Sequence, residues 1–435
     1  MGFYQRLLGG AARWGVYAFL LACMTGAATF FYARGPSPIR PEFLALGGLL
    51  VVVLWRRSTD PRASFPDVAL PVIAAFGLLT IARLLGGFNT GAVWEGFGKE
   101  VFRPLLSFLV VVLAAEMAGI PFIRTNLRRI FVAALVLYLA SLSIDLIRPG
   151  TFTKFFARPA GFAINANMAG QVIIMFALLS VRWRRCKALD GLIWTAAGIG
   201  VAITLSRSAL LNYAICLAAY AVVLHWPRIR RNPAPIIAIA LLLPLCLYGA
   251  ASAMVWAAEN MDLPTASVNR IVSMALLFSG DLDAAAGDSR AILFDHYLTA
   301  VSAHPLAGYG PGFFTSGETG AHNMALQLWA DAGLLAPAAF VLFLCWTAWH
   351  FGSTNKAASA VTLSIAIFSA FSHNLLDNVT FLLIWGLMPG LRLGLTERSE
   401  SPTDPARSRT AGSEPAPSQR GSPAPPVQQS ARRCG

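Results

Sequence analysis

The sequence predicts an all-α polytopic membrane protein, and three observations carry that prediction. Apolar side chains make up 56% of the 435 residues and charged ones only 13%, where an ordinary soluble domain has roughly 25% charged. Mean hydropathy is +0.60. The apolar residues also gather into runs near the length of about 20 residues that crosses a bilayer. Hydrocarbon offers the backbone no hydrogen-bond partners, so such runs span as helices.

About twelve spans are expected, at 14–33, 41–55, 67–86, 102–120, 129–147, 165–181, 189–205, 208–226, 234–256, 323–349, 357–374 and 379–394. The second, sixth and last are short for a full crossing. The first run is too long for the apolar core of a cleavable leader and reads as a membrane helix. The net charge of +13 would suit a nucleic-acid partner if the cations shared one soluble face. Instead they sort by connection. With the N-terminus inside, one set of connections carries sixteen cations, among them Arg56, Arg57, Arg128, Arg184 and Arg230; the other set carries ten, with Arg83 left within a span. Seven more arginines follow from Arg392 onward. The positive-inside rule therefore puts both termini in the cytoplasm, in keeping with an even number of spans.

The predicted organisation is a polytopic membrane domain over 1–394, with one long outer loop at about 257–321, followed by a tail over 395–435. The loop is acidic for this protein, with Glu259, Asp262, Asp281, Asp283, Asp288, Asp295 and Glu318 against two arginines. Within it Ser289–Ala303 reads as a helix, followed by the turn-rich stretch His304-Pro-Leu-Ala-Gly-Tyr-Gly-Pro-Gly. A loop of this length usually carries function. The tail is rich in Pro, Ser and Arg and nearly lacks large apolar residues, so it is expected to be disordered and cytoplasmic. No repeat and no inverted halves stand out.

The six cysteines fall in or beside apolar runs or in the tail, which excludes a disulfide framework or a zinc site. No metal site is expected: His296, His304 and His322 form no His-x-x-x-His pair. A Gly-rich nucleotide loop and a carboxylate cluster for Mg²⁺ are equally missing, so no cofactor is expected.

Ionisable residues near membrane depth are costly, so each is a site candidate. On the outer side these are Arg158, followed by Asn165-Ala-Asn167 at the start of a span; Arg207 in Thr-Leu-Ser-Arg-Ser; Arg290 in Asp-Ser-Arg; His322 beside Asn323; and His373, Asn374 and Asp377 in the last outer turn. Arg207 sits between two apolar runs and is the strongest, with a snorkelling anchor as the alternative. Loop structure and helix capping compete equally with substrate contact for Arg158 and the asparagines. Ser316-Gly317 near His322 lacks the Gly-x-Ser-Gly pattern of an intramembrane serine protease, because Phe314 stands at the first glycine position. Guanidinium groups bind phosphate oxygens bidentately, and a neutral histidine can accept a hydroxyl proton. Together they suit attack by a hydroxyl with a lipid-linked pyrophosphate as the leaving group.

In their order, Arg158-Pro-x-Gly with Asn165-x-Asn167, Ser206-Arg207, Ser289-Arg290, Pro305-x-x-Gly308-x-Gly310 and His322-Asn323 resemble the superfamily of O-antigen ligases and O-antigen polymerases. The resemblance covers about residues 158–333, and the polytopic frame extends it over 1–394. It implies a GT-C-like glycosyltransferase of the bacterial inner membrane, independent of metal, with a periplasmic active site. Its donor would be a glycan on undecaprenyl pyrophosphate and its acceptor a sugar such as lipid A-core or a second glycan. Carried over, Arg207 and Arg290 would bind the donor pyrophosphate, with Arg158, Asn167 and Asn323 as further substrate contacts, and His322 would act on the acceptor hydroxyl. Asp331-Ala-Gly333 and Pro337 depart from the family pattern after the histidine. Repeat-unit polymerase and protein O-glycosyltransferase remain alternatives. A transporter is the alternative from another class, disfavoured because the ionisable residues gather at the outer interface rather than the midplane.

Overall fold

The computed structural model describes residues 2–35, 37–60, 65–89, 94–153, 158–183, 187–229, 289–310, 321–352, 354–372 and 375–400, with scattered positions between 231 and 272. The span expected at 234–256, most of the long loop and the tail beyond Glu400 lie outside the described residues. The chain divides into two units, Met1–Gly394 and Leu395–Gly435. The described residues are helical, with no strand among them.

In chain order the α-helices are α1 (Gly2–Met24), α2 (Ala27–Ala33), α3 (Pro41–Thr59), α4 (Leu70–Asn89), α5 (Trp94–Ala118), α6 (Pro121–Ile147), α7 (Ala166–Ser180), α8 (Ala188–Ile203) and α9 (Arg207–Ile229). After the long loop come α10 (Ser289–Ala303), α11 (Met324–Ala332), α12 (Leu335–Gly352), α13 (Lys356–Ser369) and α14 (Val379–Glu400). Among the described residues four helical stretches are long and apolar enough to cross a membrane: Asp67–Leu85, Pro121–Ile147, Arg207–Trp226 and Leu335–Gly352. The bent pair Gly10–Met24 and Ala27–Ala33 makes a fifth candidate. Helices α7, α8, α13 and the first part of α14 are apolar but shorter. This is a membrane protein.

Helix boundaries follow local chemistry. Pro41 and Pro121 start α3 and α6 at the position where a missing N–H costs least. Asn165, Asn323 and Asn355 cap α7, α11 and α13 through their side-chain oxygens. Helix α7 is buried along almost its whole length and packs against α6, α8, α9 and α13. Gly170 on α7 faces Ala209 on α9 so closely that a Cβ would collide with the alanine. Small residues at such a crossing let two backbones approach, which substitutes for the hydrophobic drive missing in lipid. Next to Gly170 in sequence, the Gln171 amide of α7 donates to Ser364 Oγ of α13 at 2.9 Å. The Asn212 amide of α9 donates to Gln171 Oε1 at 2.5 Å and to the Ser364 carbonyl at 3.0 Å. This buried polar group ties three helices in register.

The end where α3 and α5 finish and α8 begins is pinned by charge. Arg56 and Arg57 bind Glu116 at 3.0 and 2.7 Å, and Arg128 binds the fully buried Asp190 at 2.8 Å. Asp190 also accepts the Lys187 and Arg182 backbone N–H groups, which fixes the start of α8.

Two expected spans are interrupted. The first bends by 62° between α1 and α2, at Gly26, whose φ of +80° favours glycine. A Cβ there would press on the Phe162 carbonyl at 3.2 Å, so the bend accommodates the loop before α7. The expected 323–349 span is broken at Gly333 (φ +71°) into α11 and α12. The turn after α10 docks into that break. Tyr309 N–H donates to the Ala330 carbonyl at 2.7 Å, and Leu334 N–H and Trp329 Nε1 donate to the Pro305 carbonyl at 3.1 and 2.7 Å. A Cβ on Gly333 would run into the Leu306 carbonyl. A sequence pattern alone does not reveal a carbonyl arriving from 27 residues away.

Candidate active site

Helices α7 and α9 begin side by side at the end of the bundle where α6 and α8 finish. Ser206, almost fully buried, precedes α9, and its Oγ accepts from Ala209 N–H at 3.4 Å as a helix cap. The same hydroxyl donates to Asn167 Oδ1, on the first turn of α7, at 2.8 Å. Arg158 Nη2 donates to the same Asn167 oxygen at 2.9 Å, while its Nε reaches the Thr204 carbonyl at 3.4 Å. One amide oxygen therefore gathers two other segments, 9 and 39 residues away in sequence. Arg207 follows immediately as the first residue of α9 and is half-buried. Two guanidinium groups thus lie at two adjacent helix N-termini, where the orphan N–H groups and the helix dipoles already favour an anion.

The sequence-predicted His322 and Asn323 fall in a second group. Asn323 Oδ1 accepts from Leu326 N–H at 3.1 Å and so caps α11. Its oxygen has a structural task, and only its amide nitrogen is left to face a substrate. His322, half-buried, stands directly before this cap with φ +50°. Arg290 occupies the first turn of α10. That helix packs on α11 through Tyr297, Val301, Leu326 and Ala330, and the docked 304–310 turn fastens the two together. His304 stacks edge-on against Tyr309 at 4.6 Å.

Three non-glycine residues among those described have positive φ: Ile164 (+63°), Leu205 (+49°) and His322 (+50°). Each precedes a capping residue, Asn165, Ser206 and Asn323 respectively. A non-glycine residue at positive φ is uncommon, most of all a β-branched one such as Ile164, and persists where its surroundings hold it. All three positive-φ joints thus sit where a candidate residue enters a helix.

Two interactions are not visible in the sequence. Asp145, at the end of α6 and almost fully buried, accepts backbone N–H groups of the loop that carries Arg158. Arg83, left inside a span by the sequence, pairs with Asp377 at 3.1 Å, and Arg103 approaches the same carboxylate at 3.9 Å. Ser372 Oγ lies 3.8 Å from Met168 Sδ, so this last turn closes over the start of α7. The candidates His373 and Asn374 lie outside the described residues. No group of three or more metal-ligating side chains occurs among the described residues.

No curated protein matches the chain. Residues 191–341, which take in Arg207, Arg290 and His322, match the family model described as O-antigen ligase. That match makes residues 191–341 similar to the O-antigen ligase family.

Proposed function

We propose that the chain is a glycosyltransferase that moves a glycan from undecaprenyl pyrophosphate to an acceptor sugar, lipid A-core in the first reading, at the periplasmic face of the bacterial inner membrane. The observation that carries the proposal is the convergence of Arg158, Asn167 and the Ser206-Arg207 step at the paired N-termini of α7 and α9. Fixed guanidinium groups and helix dipoles at the mouth of a bundle suit a pyrophosphate held at headgroup depth, with the polyprenyl chain left in lipid.

In this reading Arg207 and Arg290 bind the pyrophosphate oxygens, Arg158 aligns a third guanidinium through Asn167, and the Asn323 amide contacts the donor or acceptor glycan. His322 accepts the proton of the acceptor hydroxyl as its oxygen forms a bond to the anomeric carbon. The bond from that carbon to the pyrophosphate oxygen breaks, and undecaprenyl pyrophosphate leaves with its charge spread over groups already facing cations. The leaving group is activated, so neither nucleotide nor metal is needed. The bundle proposed over 1–394 holds both termini in the cytoplasm, with the segment from 395 as an appended tail. Purified protein given a lipid-linked glycan with lipid A-core, or with a second lipid-linked glycan, separates ligation from polymerisation. Product on lipid A-core supports the first reading, and product only on the second acceptor replaces it with a repeat-unit polymerase.

A further inference from the structure

The segment joining α6 to α7 brings Arg158 to the site, and it is held from two sides by opposite charges. From inside the bundle, Asp145 divides its two carboxylate oxygens between the two arms of the segment. Oδ1 accepts from Phe152 N–H at 3.0 Å and Thr153 N–H at 3.5 Å. Oδ2 accepts from Ala160 N–H at 2.9 Å and Gly161 N–H at 3.3 Å. Asp145 is only 1% exposed, so these N–H groups and the carboxylate have little water to turn to. From the outer side, Arg34 Nη2 donates to the carbonyls of Gly150, Thr151 and Thr153 at 2.9, 3.4 and 3.2 Å. Phe30 of α2 packs on Phe152 and Phe162 at 5.0 and 5.9 Å between ring centres. Tyr138 and Ser141 of α6 complete the seat, the first donating to the Ala160 carbonyl at 2.9 Å and the second accepting from Phe162 N–H at 3.4 Å.

A carboxylate set at the end of an apolar helix is expensive unless it does something there. We propose that Asp145 is a positioning residue for glycan transfer: it staples both arms of the 152–161 segment so that Arg158 meets Asn167 and the donor in one fixed geometry, with Arg34 as the outer clamp. The proposal rests on the donor-binding role given to Arg158. Asparagine at position 145 would keep one acceptor oxygen but turn an N–H₂ group toward N–H donors, opening one arm. Charge-assisted bonds of this kind are individually worth about ten- to a hundredfold in equilibrium, and loss of one arm is set at the lower end.

Two readouts on the full-length protein in membranes test the proposal. Lys154 follows Thr153 in the sequence, so trypsin added from the outer side should cleave after it about tenfold faster in Asp145→Asn. In transfer assays Asp145→Asn should raise donor KM about tenfold while kcat at saturating donor stays within about twofold. It should add less than about twofold to the loss already caused by Arg158→Ala. Arg34→Gln, on an exposed residue, should give the same pattern in weaker form, and it stands in if Asp145→Asn does not insert. Unchanged cleavage in either variant, a loss of kcat at unchanged KM, or losses that multiply fully with Arg158→Ala would overturn the proposal. Wild-type donor KM in Arg158→Ala beside faster cleavage in Asp145→Asn would instead remove the donor role of Arg158, and with it the catalytic purpose of the staple.

Discussion

Asn167→Ala removes the one oxygen that joins Arg158 to the Ser206-Arg207 step. The lost bonds are a charge-assisted one of 2.9 Å and a hydroxyl one of 2.8 Å. Bonds of these two kinds contribute roughly 1.5–3 and 0.5–1.5 kcal/mol. Asn165 still caps α7, because its side chain accepts from the residue 167 backbone N–H at 2.9 Å, so the helix itself should survive. If about 2 kcal/mol of that coupling is felt in the transition state, kcat/KM falls about 30-fold. Steady-state transfer from a lipid-linked glycan by purified protein reads this directly, with thermal unfolding in detergent as the control. Asn167→Asp sharpens the test. It keeps an acceptor for both partners but adds a negative charge facing the donor phosphates, so donor KM should rise while melting temperature stays level. Wild-type kcat/KM in Asn167→Ala would refute the idea that this amide organises the donor site. A loss of activity matched by a lower melting temperature would reduce the amide to a helix-packing role.

The same geometry makes further predictions. Arg207→Lys and Arg290→Lys should each cut transfer by at least about tenfold although charge is kept, because a point ammonium cannot copy a planar fork; wild-type rates would return both to the status of interface anchors. Gly333→Ala should lower stability by about 2 kcal/mol or more, since it combines a φ of +71° with a collision at the Leu306 carbonyl. Denaturant or thermal unfolding would check it, and an unchanged midpoint would show that the turn after α10 is loosely seated. Removal of residues after about 400 should leave insertion and transfer intact, because that stretch nearly lacks apolar residues able to dock.

What was legible in the sequence was local. Helix α10 could be bounded at Ser289 and Ala303 because a small polar residue opens it and His304-Pro305 closes it. The capping role of Asn165 was equally visible from its place before an apolar run. Arg158, Asn167, Arg207 and His322 stood out because polar groups beside apolar runs are conspicuous. What stayed hidden needed a partner from elsewhere in the chain. Nothing near Arg83 points to Asp377, 294 residues away. Asp145 looks like the frayed end of a span until the chain folds back and offers it N–H groups from positions 152 and 160. The bend at Gly26 lies within an unbroken apolar run, and only the Phe162 carbonyl packed against it gives the glycine a reason.

The central claim is that His322 serves as the base in glycan transfer from a lipid-linked pyrophosphate, and its pH–rate profile tests that most directly. Purified wild-type protein should transfer glycan with a rate that falls on the acid side, because an imidazole that takes up a proton ceases to be a base. His322→Ala should lower kcat by about 10² to 10⁴ at saturating donor, leave donor KM nearly unchanged and abolish that acid limb. Full turnover with the same acid limb in His322→Gln would contradict the account, and a raised donor KM with unchanged kcat would make His322 a phosphate contact instead of the base.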